Sequence, residues 1–167
     1  RCRSRLLHAS EADLVELVHG DNRFMCSDLE HGVTRCIYDR FSGLEMLGAE
    51  LVEFSPLADD RLPDAAAGVY LGGGYPELHA EVLEANSSMR RCLREACEDG
   101  LPVYAECGGL MYLMDGLITF EGKRFAMAGV FQGTVKMEKK LFALGYYSAR
   151  ALTDSVAAER GWKIPGH

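Results

Sequence analysis

Two apolar runs that each end in glycine constrain this chain more than any other feature. Gly68-Val69-Tyr70-Leu71 stops at Gly72-Gly73-Gly74, and Leu101 to Ala105, with Pro102 near its start, stops at Glu106-Cys107-Gly108-Gly109. Short apolar runs without alternation are the mark of strands buried on both faces, as in parallel sheets. Between them Met89, Cys92, Leu93, Ala96 and Cys97 fall at i, i+3, i+4, i+7 and i+8, with Arg and Glu on the other faces. That is one apolar helix stripe, and Gly100 supplies its stop. A further apolar stretch, Leu110 to Leu113, follows the second pair of glycines. Strand, helix, strand, turn and helix in that order imply right-handed crossovers and a mainly parallel sheet.

The flanking segments are less regular. Ser10 and Asp13 resemble a capping box before Leu14, Val15, Leu17 and Val18, which predicts a short helix ending near Gly20. Asp21 to Thr34 carries no period and is left unassigned. Phe41 to Leu47 reads as a helix stopped by Gly48, and Leu51 to Phe54 as a strand ended by Ser55-Pro56. Asp59 to Pro63 is a polar connection. After Gly116 the pattern changes to short strand-like pieces around Phe125–Phe131, Thr134–Met137 and Tyr146–Ala151.

The chain of 167 residues is the size of about one domain, and 48% hydrophobic residues suffice for a core. No run approaches the roughly 18 apolar residues that span a bilayer. Arg1 to Leu7 lacks the apolar region of a signal peptide, so a cytoplasmic location is expected. A net charge of −7 argues against a phosphate backbone as partner. Arg90, Arg91 and Arg94, interleaved with Glu95 and Glu98, read as a solvated helix face. The six cysteines form no Cys-x-x-Cys pair and have no histidine at finger spacing, so neither zinc nor a disulfide framework is expected.

Cys107 carries the chemistry. It follows one of the buried strands and precedes two glycines and a helix, which places it at the carboxyl edge of the sheet where ligands bind in open α/β folds. A sharp strand-to-helix turn exposes such a side chain, small neighbours permit the turn, and the helix N-terminus favours thiolate. The plain alternative is that Cys107 packs, as free cysteines usually do; that reading holds for Cys92 and Cys97 on the apolar stripe. The three glycines at the other strand end let backbone N–H groups approach an anion or oxyanion, or else form a tight turn before a helix. They lack the trailing Lys-Ser/Thr of a phosphate loop.

Gly72-Gly-Gly-Tyr-Pro-Glu77, then Asn86, Met89 and Gly100-Leu-Pro-Val-Tyr-Ala-Glu-Cys-Gly-Gly-Leu-Met-Tyr-Leu113, resemble the glutaminase half of cobyrinic acid a,c-diamide synthases. Leu51 to Leu62, Met127 to Val130, Gly145-Tyr146 and Gly166-His167 extend the likeness over residues 44–167, which contrast with a poorly matching N-terminal segment, 1–43. The resemblance implies a three-layer, mainly parallel flavodoxin-like α/β sheet of the class I glutamine amidotransferase type, C-terminally truncated. It implies that Cys107 attacks the carboxamide of glutamine, with the oxyanion held by N–H groups at Gly73 or Gly74 and at Gly108. Ammonia would pass to a synthetase domain, outside this fragment, that uses Mg-ATP to activate the a and c carboxylates of a cobyrinate-type tetrapyrrole. No cofactor or metal is implied for the fragment itself. In that family the base is a His placed after the Gly-His string, so this chain alone is expected to hydrolyse glutamine poorly; His167 matches the start of a structural motif and not that base, and His79 reads as part of a solvated helix. Cobyric acid synthases and nickel-sirohydrochlorin diamide synthases share this half and remain alternatives. So does an inactive α/β interaction domain that retains the cysteine.

Overall fold

A computed structural model describes residues 23–27, 49–140, 145–154 and 158–166. Strands β1 (Arg23–Ser27), β2 (Glu50–Glu53), β3 (Gly68–Leu71) and β4 (Val103–Ala105) form a parallel sheet in the order β2-β1-β3-β4. Those are the first four positions of the flavodoxin-like order. β3 has the bounds its sequence implies, β2 begins and ends one residue earlier than expected, and β4 lacks the first two residues of the expected run. Pro102 stays outside β4, where its carbonyl accepts from Val69 N–H at 2.9 Å. The stretch left unassigned holds β1, between β2 and β3, with Met25 opposite both Val52 and Val69. Five residues are too few to establish a period, so only its partners reveal it as a strand. The helices expected at Ser10–Gly20 and Phe41–Leu47 lie outside the described residues.

A 3-10 turn (Pro76–Leu78), α1 (Ala80–Ala85) and α2 (Ser87–Glu98) cross from β3 to β4, and α3 (Gly108–Leu113) follows β4. The stripe of α2 turns inward as expected. Met89, Leu93 and Cys97 are buried with Val69 and Leu71 of β3, Leu83 of α1 and Tyr112 and Leu113 of α3. Each such Leu or Met contributes about 1.5–3 kcal/mol by leaving water. Asn86 starts α2: its Oδ1 accepts from Met89 N–H at 3.2 Å, while its amide donates to the carbonyls of Pro56 and Asp59, both at 2.8 Å. One side chain thus caps a helix and pins the loop after β2.

The basic face of α2 is only partly solvated. Arg91, Glu95 and Glu98 are exposed. Arg90, in contrast, donates to the carbonyls of Met127 at 3.2 Å and Glu84 at 2.9 Å. Glu84 in turn accepts from Ala126 N–H at 2.6 Å. The expectation of a solvated face fails at Arg90 because its long stem reaches carbonyls that helix ends and loops leave without partners.

Beyond α3 the chain forms β5 (Met114–Ile118), β6 (Arg124–Ala126) and β7 (Phe131–Lys136) in the order β6-β5-β7, then an antiparallel pair, β8 (Tyr147–Arg150) and β9 (Lys163–Gly166). The piece expected as one strand over Phe125–Phe131 is divided. Between β6 and β7, the N–H groups of Met127, Ala128, Gly129 and Val130 donate to the carbonyls of Asp115, Tyr112, Met114 and Leu113. The junction of α3 and β5 therefore takes up the donors a ladder would have used. Among the described residues no helix is long and apolar enough to cross a membrane.

Candidate active site

The carboxyl ends of β3 and β4 lie side by side, with Tyr70 opposite Tyr104 and Leu71 opposite Ala105. Both chains then turn toward one place. After β4, Glu106 N–H donates to Leu71 O at 2.9 Å, and Gly109 N–H donates to Gly72 O at 3.0 Å and to Glu106 O at 2.8 Å. These bonds lay the first turn of α3 across the glycine bend that follows β3.

Cys107 sits at the apex. Its φ of 47° and ψ of −110° are a backbone conformation that non-glycine residues rarely hold, and its side chain is exposed. Strain of this kind costs about 1–3 kcal/mol and persists only where the surroundings impose it. Here they do. A Cβ on Gly109 would stand 2.5 Å from Leu71 O and 2.7 Å from Gly72 O, and one on Gly108 would overlap the Gly74 carbonyl oxygen. Only glycine at both positions allows α3 to come this close, so the turn must be made at Cys107 itself.

The glycine bend faces the cysteine. A Cβ built on Gly73 lies 3.9 Å from Cys107 Cβ, and Gly74 has a φ of 144°. Gly109 N–H is committed, whereas the N–H groups of Gly73, Gly74 and Gly108 meet no acceptor among the described residues. All four residues singled out from the sequence, Cys107, Gly73, Gly74 and Gly108, therefore stand together at one sheet edge. An exposed sulfur beside the backbone amides of a glycine bend can attack an acyl carbon, and those amides can stabilise the negative oxygen that results.

Two other cysteines, both on α2, differ in kind. Cys97 is buried and Cys92 half-buried on α2, and burial, with a smaller effect from Glu98, pushes the Cys97 thiol up to about 11. A thiol so protected is inert. His79 stands where the 3-10 turn meets α1 and makes no side-chain capping bond. His8, His19, His31 and His167 lie outside the described residues, as do Cys2 and Cys36. Among the described residues no three His, Cys, Asp or Glu side chains group as a metal site.

Sequence reasoning passed over Glu106. Its carboxylate accepts from Tyr70 OH at 3.1 Å and from Tyr104 OH at 3.0 Å, and the two rings stack with centroids 5.6 Å apart. The signal was present, since both tyrosines are the penultimate residues of their apolar runs. Pairing them requires the register of the sheet.

Residues 35–167 match the family model described as the CobB/CobQ-like glutamine amidotransferase domain. Among curated proteins, the chain is similar to the cobyrinate a,c-diamide synthase of Caldanaerobacter subterraneus subsp. tengcongensis, 51% identical over 124 residues, 74% of this chain and 27% of that protein. The proteins of the same name from Dehalococcoides mccartyi (strain ATCC BAA-2266 / KCTC 15142 / 195) and Listeria innocua are 44% and 45% identical, each over 129 residues. These alignments cover 75% and 77% of this chain and 28% of each relative, so the chain spans just over a quarter of the length of the relatives it matches. With more than half of its residues inside that family model, and an α/β sheet that suits it, the chain belongs to the CobB/CobQ-like glutamine amidotransferase family.

Proposed function

We propose that this domain releases ammonia from glutamine through a thioester on Cys107, for amidation of the a and c carboxylates of a cobyrinate-type acceptor. The observation that carries the reading is the exposed sulfur, strained out of the sheet edge beside the Gly72–Gly74 bend. Cys107 sulfur attacks the side-chain carbonyl carbon, and the oxyanion is held by N–H groups at Gly108 and at Gly73 or Gly74. Collapse breaks the C–N bond, and the nitrogen leaves as ammonia after gaining a proton. Water then hydrolyses the thioester to glutamate and the free thiol. Phosphoryl activation of the acceptor by Mg-ATP belongs to a synthetase portion of a longer polypeptide, and no residue described here is assigned to it. The acceptor reading draws on relatives named cobyrinate a,c-diamide synthase.

The test uses the full-length polypeptide and follows diamide formation with either glutamine or ammonium as nitrogen source. Cys107→Ser is expected to abolish the glutamine-dependent reaction and leave the ammonium-dependent one intact. Undiminished turnover on glutamine in that variant would remove Cys107 from the chemistry. Amidation of a different tetrapyrrole in place of cobyrinate would leave the cysteine in place and change the acceptor.

A further inference from the structure

We propose that Glu106 is a positioning residue of this site, a carboxylate that fixes the peptide unit leading into Cys107 so that the strained turn is held. The proposal rests on the reading of Cys107 as nucleophile, and its geometry is independent of the oxyanion donors. Glu106 is tied at four points. Its N–H donates to Leu71 O at 2.9 Å and its carbonyl accepts from Gly109 N–H at 2.8 Å. Its Oε2 accepts from Tyr70 OH at 3.1 Å and its Oε1 from Tyr104 OH at 3.0 Å. Because the two hydroxyls engage different oxygens, the carboxylate is fixed in rotation as well as in place.

The clamp is itself rigid. Tyr70 and Tyr104 are register partners on β3 and β4, and their rings stack at an interplanar angle of 21°. Tyr70 is buried, while Tyr104 is 38% exposed. Hydrogen bonds to a charged acceptor are roughly twice as strong as neutral ones, which suits a group that must hold its neighbour in a costly conformation. The side chain one residue before the sulfur is thereby anchored to both strands from which the site is built. A carboxylate that merely solvated the surface would have no need of two phenols from adjacent strands. Without the clamp, the link between β4 and α3 can relax, and the sulfur moves away from the position that the glycine amides face. Displacements of about 1 Å at a reacting atom cost on the order of a hundredfold in rate.

The experiment measures glutamine-dependent and ammonium-dependent turnover of the full-length polypeptide, with thermal unfolding of each variant. Glu106→Ala is expected to lower kcat on glutamine about a hundredfold, with KM for glutamine and turnover on ammonium unchanged. Glu106→Gln, whose amide oxygen still accepts one hydroxyl, restores about tenfold of that loss, the worth of one hydrogen bond. Tyr104→Phe lowers kcat by about tenfold alone and adds little to Glu106→Ala, because both remove the same contact. A parental kcat in Glu106→Ala, or a loss that tracks unfolding and falls equally on ammonium turnover, overturns the proposal. Should Glu106→Ala fail to fold, the partly exposed Tyr104→Phe decides alone, and an unchanged kcat there refutes the clamp. Cys107→Ser run in parallel separates the two readings. If it abolishes glutamine turnover while the Glu106 and Tyr104 variants keep the parental kcat, only the clamp fails; if it retains turnover, the nucleophile assignment fails first.

Discussion

Replacing Gly109 with alanine sets two physical effects against each other. By helix propensity alone, alanine is better than glycine by up to about 1 kcal/mol, so the variant should be slightly more stable. The packing says the opposite. The new Cβ would stand 2.5 Å from Leu71 O, 2.7 Å from Gly72 O and 2.8 Å from Leu71 Cβ, against a lower bound of 3.4 Å for ordinary contact. The obstacles are mainly backbone, and they cannot swing aside: Leu71 O accepts from Glu106 N–H and Gly72 O from Gly109 N–H itself. The start of α3 must therefore retreat by close to 1 Å, the difference between 3.4 and 2.5 Å. Overpacking of this order costs about 1–3 kcal/mol, and weakening one or two of the bonds around the turn adds roughly 0.5–1.5 kcal/mol each. The expected net loss is about 2–4 kcal/mol, read from the midpoint of urea unfolding, with a parallel drop in the rate at which an exposed-thiol reagent modifies Cys107. Gly145→Ala, where a Cβ meets nothing within 4 Å, serves as the neutral control. A Gly109→Ala protein as stable as the parent would show that α3 is not pressed against β3, and the account of Cys107 strain would fall with it.

Other consequences follow from the same contacts. Asn86→Ala removes a helix cap and two bonds to the loop after β2, and should cost about 2–4 kcal/mol in chemical unfolding; a loss confined to that of an ordinary cap would show that the loop bonds contribute nothing. Iodoacetamide under native conditions should modify Cys107 and spare Cys97, as peptide mapping would show, and modification of Cys97 first would contradict its burial. Cys97 also makes stability fall in mild alkali. The folded thiol holds its proton up to about pH 11 whereas the unfolded one releases it near 9, so this contribution is complete below about pH 9 and is lost as the pH rises toward 11. Cys97→Ala should flatten that part of the unfolding profile.

The periodic elements were legible because backbone geometry repeats residue types at fixed intervals. The α2 stripe needs only the helical repeat, and β3 only an apolar run that meets glycine. The cysteine site was legible for a related reason: a thiol between a buried strand and two small residues sits where a sharp strand-to-helix turn is sterically possible, and such a turn lies at the ligand-binding edge of the sheet. β1 was not legible, since five residues establish no period and its neighbours begin 23 and 41 positions away at Glu50 and Gly68. β5 was missed because α3 passes into it without a break, so apolar residues of both periods run together from Leu110 to Ile118.

By itself the amino-acid sequence marked the candidate nucleophile, the glycine turns at two strand ends, and the type of sheet that carries them. Each of these features is written in a short string of consecutive residues at a strand end. Tertiary structure alone decided what holds the arrangement in place, namely the Leu71 carbonyl behind Gly109, the reach of Arg90 to Met127, and the meeting of Tyr70 and Tyr104 on Glu106. Each joins residues distant in sequence whose contact depends on strand register and on backbone approaches of a few ångströms, and no local pattern of residue types records such distances.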